Sequence, residues 1–221
     1  ARMIAAHQFE AAPEDVEFEN GSFSVAGTPA KSVHIQELGF AAFSAHDLPD
    51  GMEPNLQEQV SFDPPNFAFP FGTHVAVVEI DTETGGIELI NYVGVDDCGH
   101  QVNPLIVEGQ VHGGIVQGAA QALFEAANYD ADGHITNPSF MDYLVPSAAE
   151  MPSITLDSTV TPSTSNPLGV KGVGEAGTIG SAAAVINAVC DALSPYGVTD
   201  MEMPATPQRI WEAINSNGGA A

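Results

Sequence analysis

Basic residues are almost missing from this chain. Four Lys and Arg stand against 29 Asp and Glu, giving a formal net charge of −25 at pH 7 and a pI near 4.1. Nucleic acid and anionic membranes are held by clustered positive charge, so they are poor partners for such a surface. Cysteine is nearly as scarce. Cys98 and Cys190 are too few for a disulfide scaffold and no Cys-x-x-Cys occurs, which points to a reducing interior and a cytoplasmic location. No apolar run reaches membrane length, and the first ten residues carry no signal-peptide pattern.

Apolar residues, by contrast, are not lacking. A hydrophobic share of 44% and a mean hydropathy of +0.05 argue against the disorder that high net charge would otherwise suggest. The charge reads as a solvated acidic surface over an ordinary core. Such surfaces suit concentrated salt, where self-repulsion is screened, so a halophilic protein is expected. With 221 residues the chain can bury roughly 70% of its unfolded surface, as one large domain or two small ones.

The pattern along the chain is that of an α+β fold with mixed or antiparallel strands and packed helices. Residues 1–12 favour a helix, with Met3, Ile4 and His7 on one face, ended by Pro13. Residues 16–25 alternate around Asn20-Gly21, a hairpin signal. Ser32 is expected to cap a helix reaching about His46, with Val33, Ile35, Leu38, Phe40 and Phe43 as its apolar set. His34 and His46 lack partners at ligand spacing and read as surface or packed histidines. Residues 48–71 form a proline-rich loop whose aromatics, Phe62, Phe67, Phe69 and Phe71, suggest packing against something. Residues 73–81 and 86–95 read as two antiparallel strands.

Asp97, Cys98 and His100 follow closely, but their spacing matches no common zinc pattern. A loop entering a helix, with Asn103 as N-cap and Pro104 in the first turn, explains them better. That helix, 104–126, contains Gly109, Gly113, Gly114 and Gly118, each about 1 kcal/mol less favourable than Ala. Either a close helix crossing or a cofactor lying against the backbone accounts for them. Residues 129–133 read as a hairpin turn whose carboxylates do not complete an EF-hand. Residues 154–160 read as a strand. Ile179, Ala183, Ile186, Cys190 and Leu193 recur at helical spacing, a last short helix starts near Thr206, and the tail 215–221 is expected to be loose.

The chain is organised around Gly169-Val170-Lys171-Gly172-Val173-Gly174-Glu175-Ala176-Gly177-Thr178. Glycines there allow close backbone approach to a ligand, and the following helix start offers unpaired amides. Glu175 is a solvated turn residue or a general base. Lys171-Gly172-Val173-Gly174-Glu175 resembles the C-terminal active-site loop of the molybdenum hydroxylases, the family of xanthine dehydrogenase, aldehyde oxidase and aerobic carbon monoxide dehydrogenase. The run from Asp97 through Asn103-Pro104, Gly109-Gln110, Gly113-Gly114 and Gln117-Gly118 resembles the molybdopterin-contacting helix of that family. Ser139 to Pro146 is similar to the segment leaving the cofactor. Asp63-Pro64, Phe69-Pro70-Phe71-Gly72-Thr73-His74 and the residues from Asn103 to Gln110 are most like carbon monoxide dehydrogenase-type large subunits.

The resemblance implies the C-terminal portion of a large subunit's molybdopterin-binding domain. It places Glu175 beside the molybdenum as a base, not necessarily as a direct ligand, and has Gln110 hydrogen-bonding the pterin. Gly113, Gly114, Lys171, Gly172, Val173 and Gly174 would line the cofactor, a molybdopterin cytosine dinucleotide. Lys171 touches the cofactor or pairs with an acid. Electrons would leave through an iron–sulfur subunit to an FAD subunit, and copper would be present only if the missing part carries a cysteine loop. The implied reaction is oxidation of carbon monoxide with water to CO2; aldehyde or N-heterocycle hydroxylation is the family alternative. A non-catalytic acidic assembly or binding subunit is the alternative from another class. The chain opens without Met in a helix-like stretch, so it is expected to be a fragment or split subunit, inactive and metal-free alone. The acidic surface carries its own test: the melting temperature should rise between low and molar salt, and a flat or falling profile removes the halophilic expectation.

Overall fold

The computed structural model describes residues 1–216. They fall into two compact units, Ala1–Asp63 and a second that begins at Pro64, divided within the proline-rich stretch. Residues 45–70 contain no helix or strand.

The first unit contains α1 (Arg2–Phe9), strands β1 (Val16–Glu19), β2 (Ser22–Val25) and β3 (Thr28–His34), and α2 (Ile35–Ser44). The strands form an antiparallel sheet in that order. Asn20 and Gly21 both take positive φ (49° and 81°), as the tight turn between β1 and β2 requires. Ile4, Ala5 and Ala6 of α1 pack with Leu38 and Ala42 of α2 on Val16 and Phe23, whereas Met3 is exposed.

The start of α2 differs from expectation. Ser32 is committed to β3, opposite Ser24. His34 is the N-cap, its Nδ1 accepting the Gln36 N–H at 3.3 Å. The face that meets the sheet is also narrower than the expected apolar set. Leu38, Ala41 and Ala42 are buried, while Phe40 and Phe43 are 74% and 70% exposed.

The second unit is built on a mixed sheet. β4 (Phe71–Ile80) and β5 (Ile87–Asp97) pair antiparallel, and β6 (Ile154–Thr159) joins β5 in parallel. The helices are α3 (Pro104–Leu123), α4 (Ala176–Leu193) and α5 (Pro207–Ser216). Asn103 caps α3 by accepting the Ile106 N–H at 3.4 Å, and Thr206 Oγ1 accepts from Arg209 N at the start of α5. α5 still includes Asn215 and Ser216; the remainder of the expected loose tail, 217–221, lies outside the described residues. Tyr92, Ile115, Val185, Val189, Leu193 and Ile210 form the centre of the core.

The buried stripe of α4 is Gly177, Ser181, Val185, Val189 and Leu193; of the expected set, Leu193 lies on it, Ile186 and Cys190 pack half-buried against the core, and Ile179 is 70% exposed. Close approach to α3 selects the small residues. A Cβ on Gly114 would lie 3.0 Å from Thr178 N and 3.1 Å from Gly177 Cα. One on Gly118 would strike Ser181 Oγ and sit 2.7 Å from the Thr178 carbonyl. One on Gly177 would sit 2.8 Å from Ile115 N. Thr178 Oγ1 donates to the Gly114 carbonyl at 3.0 Å, fixing the crossing. The segment Ala176–Tyr196 also matches a membrane span by length and composition, contrary to the sequence reading, but its small-residue stripe is used as a core contact.

The four glycines of α3 thus divide. Gly114 and Gly118 serve the crossing, whereas a Cβ on Gly109 or Gly113 would meet nothing within 4 Å. Gly114→Ala is expected to destabilise the protein by about 1–3 kcal/mol through overpacking. Gly109→Ala should leave stability unchanged or raise it by up to about 1 kcal/mol. Urea midpoints of the two variants check the division.

Candidate functional site

The crossing of α4 over α3 brings the start of α4 beside Gln110. Glu175 is the N-cap residue of α4, and its side chain makes no capping bond. It is exposed, and its carbonyl accepts the Ile179 N–H at 3.0 Å. Gln110 donates through Nε2 to the Gly174 carbonyl at 2.8 Å. Its Oε1 has no hydrogen-bond partner among the described residues. Gly113 lies three residues on and therefore on the same face of α3. Gly172 and Gly174 resemble Gly109 and Gly113 in that an added Cβ would meet nothing within 4 Å.

The other end of the loop is held by a buried ion pair. Lys171 Nζ donates to Asp97 Oδ1 at 2.9 Å, with the two side chains 8% and 0% exposed. The ammonium also lies 4.5 Å from the centroid of the Phe71 ring. Asp97 Oδ1 accepts from Gly99 N at 3.0 Å, and Oδ2 from Thr159 Oγ1 at 3.0 Å. Burial alone would favour neutral Asp97. The Lys171 ammonium, the Gly99 N–H and the Thr161 and Thr159 hydroxyls outweigh it and hold the carboxyl well below the usual carboxylate range.

The backbone continues this attachment. Lys171 N donates to the Cys98 carbonyl at 2.8 Å, Val170 pairs with Gly99, and Asn166 bonds both N–H and C=O of Val170. Gly99 and Gly169 both have φ of 68° where the two segments touch. The expected loop is therefore brought together at Lys171, Gly172, Val173, Gly174, Glu175 and Gln110, with Gly113 alongside. Gly114 instead faces α4, and Lys171 is bound to an acid.

A second polar network lies in the sheet. His74 Nδ1 is 2.7 Å from the Tyr92 hydroxyl, and Nε2 is 3.2 Å from Asp96 Oδ2. Since a carboxylate accepts, Nε2 carries the proton and, in the neutral ring, Nδ1 accepts from Tyr92. Burial and then the Asp96 charge push the Tyr92 hydroxyl well above its ordinary pKa. Asp96 also lines a cavity of about 240 Å³ with Cys98, Gln101, Glu108, Leu156 and Asp157, which neither Gln110 nor Glu175 enters.

The zinc reading of Asp97, Cys98 and His100 has no counterpart here. Asp97 is engaged by Lys171, and burial with the charges of Asp97 and Asp96 pushes the Cys98 thiol pKa up. The grouping of Asp130, Asp132 and His134 is accounted for by a turn in which Asp130 accepts from Asp132 N and from His134 N and Nδ1. Lys31 and Arg209 donate to backbone carbonyls, of Phe9 at 3.2 Å and Met203 at 3.1 Å.

Sequence reasoning did not assign Asp97, Thr159 or Phe71 to the loop. Lys171 carried part of the signal, as one of four basic residues set among valines and glycines, but the alternation of β5 points Asp96 inward and gives no hint that Asp97 is buried beside it.

The molybdopterin cofactor-binding domain model matches residues 1–152. The chain is 40% identical over 98% of its length to the carbon monoxide dehydrogenase large chain of Hydrogenophaga pseudoflava, covering 27% of that protein. It is also 40% identical, over 95% of its length, to the nicotine 6-hydroxylase large subunit of Paenarthrobacter nicotinovorans, covering 26% of it. The crystal structure of a Cu,Mo-CO dehydrogenase in its carbon monoxide reduced state superposes with a TM-score of 0.92 at 37% identity, over 100% of this chain and 27% of that one. The chain spans about a quarter of the length of the curated relatives it matches.

Asp97's lowered pKa fixes a sign. Its contribution to stability is complete above the ordinary carboxylate pKa of about 4 and is lost as pH falls toward the folded value. The gap in urea midpoint between the parent and Asp97→Asn should therefore be widest near neutrality. It should narrow steadily below about pH 4; a gap that widens with acid would contradict the ion pair.

Proposed function

The chain belongs to the molybdopterin cofactor-binding domain family, and from that premise we propose that it is the part of a molybdenum-dependent oxidoreductase that presents Glu175 as general base to the reacting centre. The observation that carries this reading is a carboxylate left uncapped at a helix start, on a loop fastened at Lys171 and Gly174 and open at its glycines.

The residues fit the cofactor. Gly109, Gly113, Gly172 and Gly174 leave backbone that a flat ring system can approach. Gln110 orients such a group through Oε1 while Nε2 holds the loop. With so few cations, an anionic dinucleotide is met by backbone amides at the start of α4. When bound, the molybdenum–pterin group supplies the two-electron oxidising centre. With that group bound, the Glu175 carboxylate would accept a proton from the oxygen source and return it to solvent. We assign the group as molybdopterin cytosine dinucleotide and the partners as the rest of the large chain, an iron–sulfur chain and an FAD chain that carry electrons away in the cytoplasm. Copper enters only with a cysteine loop outside this chain, since Cys98 is buried and Cys190 lies on α4.

Carbon monoxide, with water as oxygen source and CO2 as product, is the substrate we favour, in line with the similarity to carbon monoxide dehydrogenase large chains. N-heterocycle hydroxylation is the second reading, because the nicotine 6-hydroxylase large subunit is as similar in identity. In the assembled enzyme, Glu175→Gln should lower turnover by about 10²- to 10⁴-fold with molybdenum content retained. Unchanged turnover would favour a non-catalytic acidic subunit. Dye reduction with carbon monoxide or with a nicotine-type heterocycle separates the two substrate classes.

A further inference from the structure

We propose that Asp97, acting through Lys171, is a positioning residue for Glu175. This rests on the reading of Glu175 as base and extends it to residues that touch neither substrate nor cofactor. Asp97 ends β5, and its carboxylate is fully buried. Lys171, Gly99 and Thr159 fill its oxygens with donors at 2.9–3.0 Å. The Lys171 backbone is fixed independently by its N–H to the Cys98 carbonyl at 2.8 Å. The loop is clamped again at Gly174, by Gln110 at 2.8 Å.

Only Gly172 and Val173 lie between these clamps, and Glu175 follows directly. Glycine gives a backbone little intrinsic preference, so a base carried on Gly-Val-Gly takes its position from the fastenings at either side. The ion pair is the side-chain fastening that ties the loop to the sheet, beside the backbone bond from Lys171 to Cys98 and the Val170–Gly99 bridge. The Phe71 ring, 4.5 Å from Nζ, shields the ammonium and favours Asp97 as its partner over solvent.

An alkyl ammonium held by one carboxylate also has a local electrostatic consequence. Its charge is neutralised where it stands, so Lys171 contributes orientation to the loop rather than a free positive field. Breaking the pair should loosen the segment 169–178 and misplace the base. A displacement of about 1 Å at a reacting group costs on the order of 10²-fold in rate.

The test uses the assembled enzyme, partner chains included, with molybdenum per chain measured for every variant. Asp97→Asn and Lys171→Met are expected to keep their molybdenum and to exchange amide hydrogens faster in peptides covering 169–178 but not elsewhere. They should lose about 10- to 100-fold in kcat, with KM within about twofold. Lys171→Arg, which retains the charge pair, should recover most of the loss. Unchanged exchange and kcat in the broken pairs would overturn the proposal, as would a loss that Lys171→Arg does not recover or exchange that rises throughout the chain. If Asp97→Asn does not assemble, Lys171→Met and Lys171→Arg decide, because both leave the Asp97 side chain and its Gly99 and Thr159 donors in place. Faster exchange confined to 169–178 in Lys171→Met and recovered in Lys171→Arg supports the proposal, and unchanged exchange in Lys171→Met overturns it. Glu175→Gln is run in parallel. Should it retain turnover, the base assignment falls, while the exchange data still report whether the pair holds the loop.

Discussion

The buried pair of Lys171 and Asp97 is the constraint on which the candidate site depends. A charged pair out of water is stable only when both members are fully engaged. Here the carboxylate has three neighbouring donors besides the ammonium, and the ammonium has an aromatic face beside it. The partners come from β5, β6, the start of β4 and the glycine-rich loop. One carboxylate therefore fastens sheet and loop together, and the loop inherits the rigidity of the sheet.

The helix crossing supplies the second coordinate. Small residues on α3 and α4 bring the backbones close enough for Thr178 to bond the Gly114 carbonyl and for Gln110 to reach Gly174. With larger side chains at Gly114, Gly118 or Gly177, the start of α4 would be pushed away from Gln110. Packing and site geometry are thus decided by the same few positions. The glycines facing open space are not needed for packing, which is why they bear on what approaches the backbone from outside.

Features set by a few adjacent residues were readable from sequence. Asn20-Gly21 specified its hairpin, Asn103-Pro104 the start of α3, and the alternation of residues 73–95 two antiparallel strands. The family was readable through the resemblance carried by the loop around Glu175 and the helix from Asn103. Features set by long-range pairing were less visible. Ser32 is a sound cap locally, yet its pairing with Ser24 holds it in β3. Phe40 and Phe43 face outward because Leu38, Ala41 and Ala42 are the α2 residues that meet the core. Ile179 gave way to Ser181 on α4 because proximity to Gly118 counts for more there than apolar area. Asp97 and Lys171 are 74 positions apart, and no local pattern joins them.

The engagement of three cationic side chains, Lys31, Lys171 and Arg209, with partners inside this chain bears on its behaviour toward phosphates. Nucleic-acid binders gain affinity at low ionic strength, because displaced counterions reward contact. Under the proposed reading, an anionic dinucleotide would meet amide dipoles set within a surplus of 25 negative charges, and long-range repulsion would oppose the encounter. Added electrolyte shortens the reach of that repulsion to a few ångströms at molar strength while leaving hydrogen bonds at contact distance in place. On that reading, brine would aid docking at this face rather than compete with it.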